Sequence, residues 1–464
     1  MIIGKKLNYI LLAMFFGLWS SLGSDPYDFL IIFENKNDIY FSILNLDYIE
    51  IINFFRAFLP IIIFITSLGI ILRYNLFTKQ KKFIYLLLII QVIQLVTTYM
   101  SKDTLMLNYE DTINHIGRYH WIISAISTIF IFMIANKLRG FDIKLLFNIS
   151  VFFLVVIIFY FTSKILIDFY LLAKKSVYHL DVFRESAFFL DHQIPRITGL
   201  SRSILIIYII TFIFNENTQH FFKKINFLLL LILGGLIFLF QSKFAVIGYF
   251  VINFIFFINS KNKINILKLL FVLFLFQILL AYSLSYSRVF FQEGEKKLTS
   301  TNQNSEKTIE LEHFRKIEDN TKDGIDLYKY KISSGRFELW AKSINLILER
   351  PFLGYGSMSD RFLLNKNRLS KSSIKIVNPI SNAFLYALFS GGIISLLVFI
   401  YFWQNIRNKI FNLFLDIELN NTYNFIGSSI IFIIGLRCFV ENSIMLFGID
   451  YLLLLSALYL TEKR

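Results

Sequence analysis

The sequence lacks the residues that a disulfide or a metal centre needs. Cys438 is the single cysteine in 464 residues, which excludes an internal disulfide and a metal site built from cysteine thiolates. No Asp-x-Asp pair and no His/Asp cluster has the spacing of metal ligands. We therefore predict that the protein binds no metal.

Charge is also scarce, at 17% of residues, and it is mostly positive, with a formal net charge of +15. The sequence contains no compact basic module, so we predict no nucleic-acid partner. Much of the positive charge lies in short connectors between apolar runs, where membrane topology explains it.

The sequence is rich in long apolar runs. Hydrophobic residues make up 56% of the chain, and 54 residues are Phe. Apolar runs of about 17 to 25 residues, the length of a membrane-spanning helix, recur without the alternation of a barrel strand. We predict an all-α integral membrane protein with about twelve spans. They are 7–23, 53–73, 83–100, 120–136, 145–164, 203–215, 226–241, 244–259, 267–286, 382–402, 425–440 and 449–461.

The connectors predict the orientation. Eighteen Lys and Arg residues fall in connectors of one face: Lys5, Lys6, Arg73, Lys79, Lys81, Lys82, Lys137, Arg139, Lys144, Lys223, Lys224, Lys261, Lys263, Lys268, Arg407, Lys409, Lys463 and Arg464. The first connector of the other face holds six acids and only Lys36. Positive-inside asymmetry predicts cytoplasmic termini and a first segment that is retained as a span.

Two connectors of the outer face are long, 165–202 and Ser287–Asn378. The second divides the chain into an N-terminal bundle (1–286, about nine spans), a large loop (287–380) and a C-terminal bundle (381–464, about three spans). The polar stretch 292–326 is expected to bury little surface.

The second half of the large loop predicts an amphipathic helix over 336–350. Apolar residues that include Trp340 recur there at helical spacing, opposite a charged face. The segment is too short and too charged to span, so we expect it to lie at the outer interface. Pro351, Gly354 and Gly356 predict its end and a turn, and Gly-x-Gly alone is weak evidence for nucleotide binding.

A second set of cations lies on the outer side, against the positive-inside trend: Arg184, Arg196, Arg202, Lys243, Arg288, Arg336 and Arg437. Converging arginines suit a diphosphate headgroup, because the guanidinium fork matches phosphate oxygens. Snorkelling to the interface is the alternative, above all for Lys243 and Arg288. For Arg437 the alternative is an ion pair with Glu441, one helical turn further on.

The outer side also offers several candidate general bases: His115, His120, His192, His313, Glu338, Asp360 and Glu441. Glycosyl transfer needs such a base, because the attacking hydroxyl loses its proton as it reacts. Spacing alone singles out none of them.

Several motifs, taken together and in this order, resemble the O-antigen ligase/polymerase superfamily. The large-loop signature is Ser334-Gly335-Arg336-Phe337-Glu338-Leu339-Trp340 followed by Pro351-Phe352-Leu353-Gly354-Tyr355-Gly356, and Ser381-Asn382-Ala383-Phe384-Leu385 leads out of the loop. Weaker matches are the stretch from Arg196 to Arg202, Gln241-Ser242-Lys243, and Arg437-Cys438-Phe439-Val440-Glu441-Asn442.

The resemblance implies a glycosyltransferase-C-like fold in the bacterial inner membrane, with the large loop in the periplasm. It implies a metal-free enzyme without cofactors that acts on undecaprenyl-diphosphate-linked oligosaccharides, with a chain-length regulator and a flippase as partners. Arg196, Arg202, Lys243 and Arg336 would bind diphosphate, and Arg336, Glu441 and Arg437 would carry catalysis. Trp340, Gly354, Gly356 and Asn382 would form the loop motif.

One position departs from the ligase pattern. Ser381 stands where ligases carry a histidine before the asparagine, so the resemblance favours an O-antigen polymerase of the Wzy type and leaves the base open. Ligase activity, with transfer to the lipid A core, is the nearest alternative. A polysaccharide flippase or other transporter is the alternative from another class. The nearly featureless span interiors and the absence of an internal repeat argue against it.

Overall fold

The computed structural model of the chain describes residues 5–22, 48–78, 80–102, 109–138, 141–171, 197–217, 220–240, 242–260, 262–299, 336–364, 380–415 and 422–462. All regular secondary structure in these ranges is helical. The helices are α1 (Lys5–Ser20), α2 (Tyr48–Arg73), α3 (Lys82–Met100), α4 (Tyr109–Lys137), α5 (Ile143–Leu171), α6 (Ile197–Asn217), α7 (His220–Phe240), α8 (Lys243–Asn259), α9 (Lys263–Thr299), α10 (Arg336–Glu349), α11 (Asp360–Leu363), α12 (Ala383–Leu415), α13 (Thr422–Cys438) and α14 (Ile449–Leu460).

Helix length and composition identify a multi-pass membrane protein. Among the described residues, six helices are long and apolar enough to cross a membrane: α3, α4, α5, α7, α9 and α12. Six shorter apolar helices accompany them: α1, α2, α6, α8, α13 and α14. Each of these helices overlaps one predicted span. The all-helical membrane fold is confirmed, whereas the number of helices that cross stays a prediction.

The helices group into two compact units that are not contiguous in sequence. The first comprises Met1–Ser150, Arg336–Asn412 and Ile430–Arg464, and the second comprises Val151–Gly335 and Leu413–Ser429. The division of the chain at residues 286 and 380 rests on predicted topology, and it stays a prediction.

Helix α4 is the centre of the first unit, where it packs against α1, α2, α3 and α14. Of its apolar window Gly117–Lys137, 78% is buried, as expected for a helix that is hydrophobic all round. Phe132 of α4 contacts rings on two sides. Its centroid lies 5.9 Å from that of Phe15 and 5.4 Å from that of Tyr459.

Ion pairs close one end of the first unit. Lys81 Nζ lies 2.9 Å from Glu462 Oε2, and Lys409 Nζ lies 2.6 Å from Glu462 Oε1. Burial opposes ionisation of Glu462, but the two ammonium groups outweigh it and lower the pKa of the carboxyl. These residues come from connectors predicted to share the cytoplasmic face. The start of α3 and the ends of α12 and α14 therefore lie together. The opposite ends of these helices lie at the other end of the unit.

In the second unit, a polar network lies midway along four helices. Tyr208 Oη donates to Asn253 Oδ1 at 3.1 Å, and Tyr249 Oη donates to Gln277 Oε1 at 2.6 Å. Gln277 Nε2 in turn donates to the carbonyl of Leu230 at 2.9 Å. The expectation of nearly featureless span interiors is therefore wrong for this unit. The groups satisfy one another, as buried polar groups between apolar helices must.

Helix α9 is longer than the sequence predicts. The polar stretch from residue 292 was expected to be loop, yet the helix continues to Thr299. Gln, Glu, Lys and Leu dominate residues 292–298, and these residues favour helix once a preceding helix supplies the nucleus.

Gly234 tests the network, because a Cβ atom there would lie 2.1 Å from the Gln277 amide. We expect Gly234→Ala to displace that amide and break one or two buried hydrogen bonds, worth roughly 1–3 kcal/mol. Thermal unfolding of the purified protein in detergent should show a lower midpoint. Gly69→Ala is the control, since a Cβ atom at Gly69 meets nothing within 4 Å. Equal midpoints for the two variants would contradict the assignment.

Candidate active site

Helix α10 confirms the amphipathic helix that the sequence predicts over 336–350. Ser343 and Ile347 are buried on one side, while Ile344 and Leu348 are exposed on the other. Trp340 is half-buried near the start of the helix. An exposed apolar face on a short charged helix fits the predicted place at the membrane interface.

The helix start contacts the C-terminal part of the chain. Arg336 Nη2 donates to Glu441 Oε1 at 3.2 Å, and the two side chains are 33% and 20% exposed. Two of the three residues predicted to carry catalysis are therefore in contact. Both remain partly open, so a substrate can reach them.

Arg437, the third predicted catalytic residue, pairs with a different acid. Its guanidinium donates to Asp450 Oδ2, and both side chains are almost fully buried. The predicted Arg437–Glu441 pair is wrong, because α13 ends at Cys438 and the chain turns before Glu441. The sequence signal for Asp450 was an acid at the start of an otherwise apolar span, where an ionisable residue needs a partner.

Asn382 anchors the start of α12 beside the same segment. Its Nδ2 donates to the carbonyl of Phe439 at 3.0 Å, and its Oδ1 accepts the backbone N–H of Leu385 at 2.9 Å. The second bond caps the helix. The motif that leads out of the large loop and the motif near the C-terminus are thus brought together, with Ser381 directly before Asn382.

The glycine turn after α10, residues 351–359, pairs with a break in α12. Gly354 and Gly356 have φ of 63° and 84°, and Gly392 inside α12 has φ of 65°. The N–H groups of Tyr355 and Gly356 donate to the carbonyls of Phe389 and Ser390 at 2.9 and 2.7 Å. The predicted turn is confirmed. It is largely buried, and it satisfies carbonyls that the broken helix leaves free.

Arg118, which no sequence motif singles out, holds this glycine turn in place. It is 1% exposed, and its guanidinium donates to the carbonyls of Ser357 at 2.5 Å and Tyr355 at 2.6 Å. It also donates to Ser101 Oγ at 3.1 Å. Its position just before a predicted span could have drawn attention to it as a buried cation. The sequence does not show the distant turn that it binds.

Tyr355 connects the glycine turn back to α10. Its hydroxyl oxygen lies 3.0 Å from both the Leu346 carbonyl and Glu349 Oε2. Burial and the contact with Glu349 raise the pKa of Tyr355 to about 12. The hydroxyl therefore stays protonated and keeps its donor at neutral pH.

Among the candidate bases, three have described side chains: His120, Asp360 and Glu441. Asp360 is 1% exposed, and its Oδ2 accepts the Ile380 N–H at 2.9 Å. Burial raises the pKa of this carboxyl, although the Arg361 charge opposes the shift. His120 is 6% exposed. Of these three, only Glu441 is partly open to solvent, which makes it the base that the geometry favours.

The remaining predicted phosphate ligands lie in the second unit or outside the described residues. Arg202 is buried in α6, Lys243 is exposed at the start of α8, and Arg196 is not described. Their convergence with Arg336 stays a prediction. Within the described part of the chain, no three His, Cys, Asp or Glu side chains are placed to hold a metal ion.

Comparison with known families agrees with the motifs. Residues 228–400, which include α10, the glycine turn and the start of α12, match the family model described as O-antigen ligase. The match supports the O-antigen ligase/polymerase superfamily, whose members are membrane glycosyltransferase-like enzymes, and it does not distinguish polymerases from ligases. No curated protein and no solved structure matches the chain.

Gly392 tests the pairing of the glycine turn with α12. A Cβ atom there would lie 2.0 Å from the carbonyl oxygen of Phe352, at a φ that side chains rarely adopt. We expect Gly392→Ala to separate the turn from α12, with lower thermal stability and loss of activity. Gly448→Ala is the control, since a Cβ atom at Gly448 meets nothing within 4 Å. An active Gly392→Ala variant of normal stability would refute the pairing.

Arg118→Lys tests the guanidinium itself. Lysine keeps the charge but cannot reach all three oxygens in the fork geometry, so we expect a loss of about 2 kcal/mol from the unsatisfied carbonyls. Limited proteolysis should then cleave within 351–364 sooner than in the wild type. Arg73→Lys, at an exposed arginine, should leave the cleavage rate unchanged. Equal rates in the two variants would show that charge alone is sufficient.

Proposed function

We propose that this protein polymerises undecaprenyl-diphosphate-linked oligosaccharide repeat units into O-antigen or a similar surface polysaccharide. The observation that carries the proposal is the contact of Arg336 with Glu441, a phosphate-binding side chain beside a partly exposed carboxylate. A glycosyl transfer from a lipid diphosphate needs these two groups. One stabilises the leaving group, and the other accepts a proton.

In the proposed reaction, the diphosphate of the growing chain draws Arg336 away from Glu441. This exchange of partners frees the carboxylate in the same step that binds the donor. Glu441 accepts the proton of an acceptor sugar hydroxyl, whose oxygen forms a bond to the anomeric carbon. The bond from that carbon to the diphosphate oxygen breaks, and undecaprenyl diphosphate leaves with the negative charge opposite Arg336.

The other predicted cations have separate tasks in this proposal. Arg196, Arg202 and Lys243 hold the remaining phosphate groups of the donor and acceptor lipids. Arg437 is already neutralised by Asp450, so it shapes the segment that carries Glu441 and does not bind phosphate directly. The leaving group supplies the energy of the reaction, which therefore needs no nucleotide sugar. In this proposal the cationic side chains, and not a metal ion, neutralise the diphosphate.

Ser381 favours a polymerase over a ligase. It is directly followed by Asn382, which donates a hydrogen bond to the segment that carries Glu441, and this contact supports a place for Ser381 beside the proposed site. A serine hydroxyl does not replace the imidazole base that the ligase pattern has there. The proposed location is the periplasmic face of the inner membrane, with cytoplasmic termini, and a flippase and a chain-length regulator would act alongside.

Deletion of the gene separates the reaction classes. Loss of a polymerase should leave a single repeat unit on the lipid core, and loss of a ligase should leave no capped core. Loss of a flippase should accumulate lipid-linked units that face the cytoplasm. Either of the last two outcomes would refute the polymerase proposal.

Complementation with variants tests the site. We expect Arg336→Ala and Glu441→Gln each to lower polymer synthesis about 10²- to 10³-fold, the usual effect of removing one transition-state contact, and to collapse the glycan ladder on a gel. The double variant should be no worse than either single one, since the residues act as a unit. Lys342→Ala, at an exposed position of the same helix, should keep a normal ladder. A normal ladder with Arg336→Ala would refute the mechanism.

A further inference from the structure

A cavity of ≈ 430 Å³ lies in the second unit, where α8 ends and α9 begins. This volume is typical of ligand-binding pockets. The charge distribution predicts that this end faces the cytoplasm, because the connector contains Lys261, Lys263 and Lys268. The predicted topology therefore assigns the cavity to the cytoplasmic side of the membrane.

One wall of the cavity is aromatic. The rings of Phe212 and Phe256 are stacked with centroids 4.2 Å apart. The ring centroid of Phe425 lies 5.8 Å from that of Phe256. These mutual contacts fix the wall in position. Such a surface suits a hydrocarbon chain.

The other wall is polar and contains two unsatisfied acceptors. Asn259 is 3% exposed, and its Nδ2 donates to the Leu413 carbonyl at 2.8 Å. Its Oδ1 is buried with no hydrogen-bond partner among the described residues, and the same holds for Ser260 Oγ. Such atoms destabilise a folded protein unless something donates to them. An occupant of the cavity that carries N–H or O–H groups would supply the missing bonds.

The charges around the cavity indicate where an anionic group would lie. Asn262, which directly precedes α9, lines it together with Ile266 and Leu269 of that helix, and the exposed Lys263 and Lys268 lie on either side of this face. Among the described residues that line the cavity, none is Lys or Arg. A phosphate would therefore lie at the rim near the lysines, and a neutral or donor-bearing group would lie inside.

We propose that this cavity binds the headgroup of a glycerophospholipid that carries hydrogen-bond donors. An ethanolamine ammonium or a glycerol hydroxyl donates to Asn259 Oδ1 and Ser260 Oγ, the phosphodiester faces the two lysines, and the first part of an acyl chain lies along the phenylalanine wall. The site is separate from polysaccharide synthesis, and it stabilises the second unit of the fold.

Native mass spectrometry of the full-length protein in detergent tests this site. The probes are phosphatidylethanolamine, phosphatidylglycerol and, as the lipid without a headgroup donor, phosphatidylcholine. We expect one or both of the first two to be retained more strongly than phosphatidylcholine. A preference for phosphatidylethanolamine would assign the ammonium as the donor, and a preference for phosphatidylglycerol would assign the hydroxyl.

Variants distinguish lipid binding at the two acceptors, Asn259 and Ser260, from nonspecific lipid adhesion. Asn259→Leu should lower retention of the preferred lipid about fivefold, the equivalent of one hydrogen bond. Ser260→Ala should act in the same direction while it preserves the bond from Asn259 to Leu413, so a folding defect cannot explain both results. Ser283→Ala, at an exposed serine of α9, is the control.

Three results would overturn the proposal. In the first, phosphatidylcholine is retained as strongly as the other two lipids. In the second, the Asn259 and Ser260 variants retain the preferred lipid like the wild type. In the third, the wild type retains no lipid, and the cavity holds only water.

Discussion

The first unit depends on one buried guanidinium. Arg118 is almost fully buried, and it donates to carbonyl oxygens of the glycine turn and to a hydroxyl at the end of α3. A charged donor to a carbonyl forms a stronger hydrogen bond than a neutral one does. Gly356 is needed for this contact, because a Cβ atom there would lie 2.5 Å from the guanidinium. The arginine and the glycine therefore constrain each other.

A short series of hydrogen bonds connects the Arg118 contact to the candidate active site. Arg118 holds the carbonyl of Tyr355, and the hydroxyl of the same tyrosine contacts the last turn of α10. Helix α10 then presents Arg336 to Glu441 from its first turn. At the same time, N–H groups of the glycine turn donate hydrogen bonds to carbonyls at the break in α12. Irregular backbone is tolerated within a membrane bundle only where it is buried and satisfied, and here two irregular segments satisfy each other.

The sequence predicted the features that depend on local pattern. Apolar length located each of the twelve apolar helices in the described part of the chain, and helical periodicity located α10 with Arg336 at its start. The glycine turn followed from backbone chemistry. The partners of long side chains were not predictable, because they depend on which helices become neighbours. Asp450 replaces Glu441 as the partner of Arg437, and Arg118 finds its two carbonyl partners more than 200 residues away. The extension of α9 was missed because its polar residues matched both a helix and a loop.

Four described cations of the first unit illustrate two kinds of environment, and the difference explains why composition was informative only in part. Lys81 and Lys409 lie at helix ends, share the single acid Glu462 and remain partly exposed. Charges of this kind follow topology, so their positions along the sequence are sufficient to interpret them. Arg118 and Arg437 are buried. Arg118 donates to two carbonyls and a hydroxyl and Arg437 pairs with Asp450, because a buried charge without polar partners would be unstable in an apolar bundle. Arg336 is intermediate, since it is paired but partly exposed. A cation that is paired but partly exposed can exchange its carboxylate partner for a phosphate without leaving a buried charge unpaired. This property supports the proposal that Arg336 binds a diphosphate.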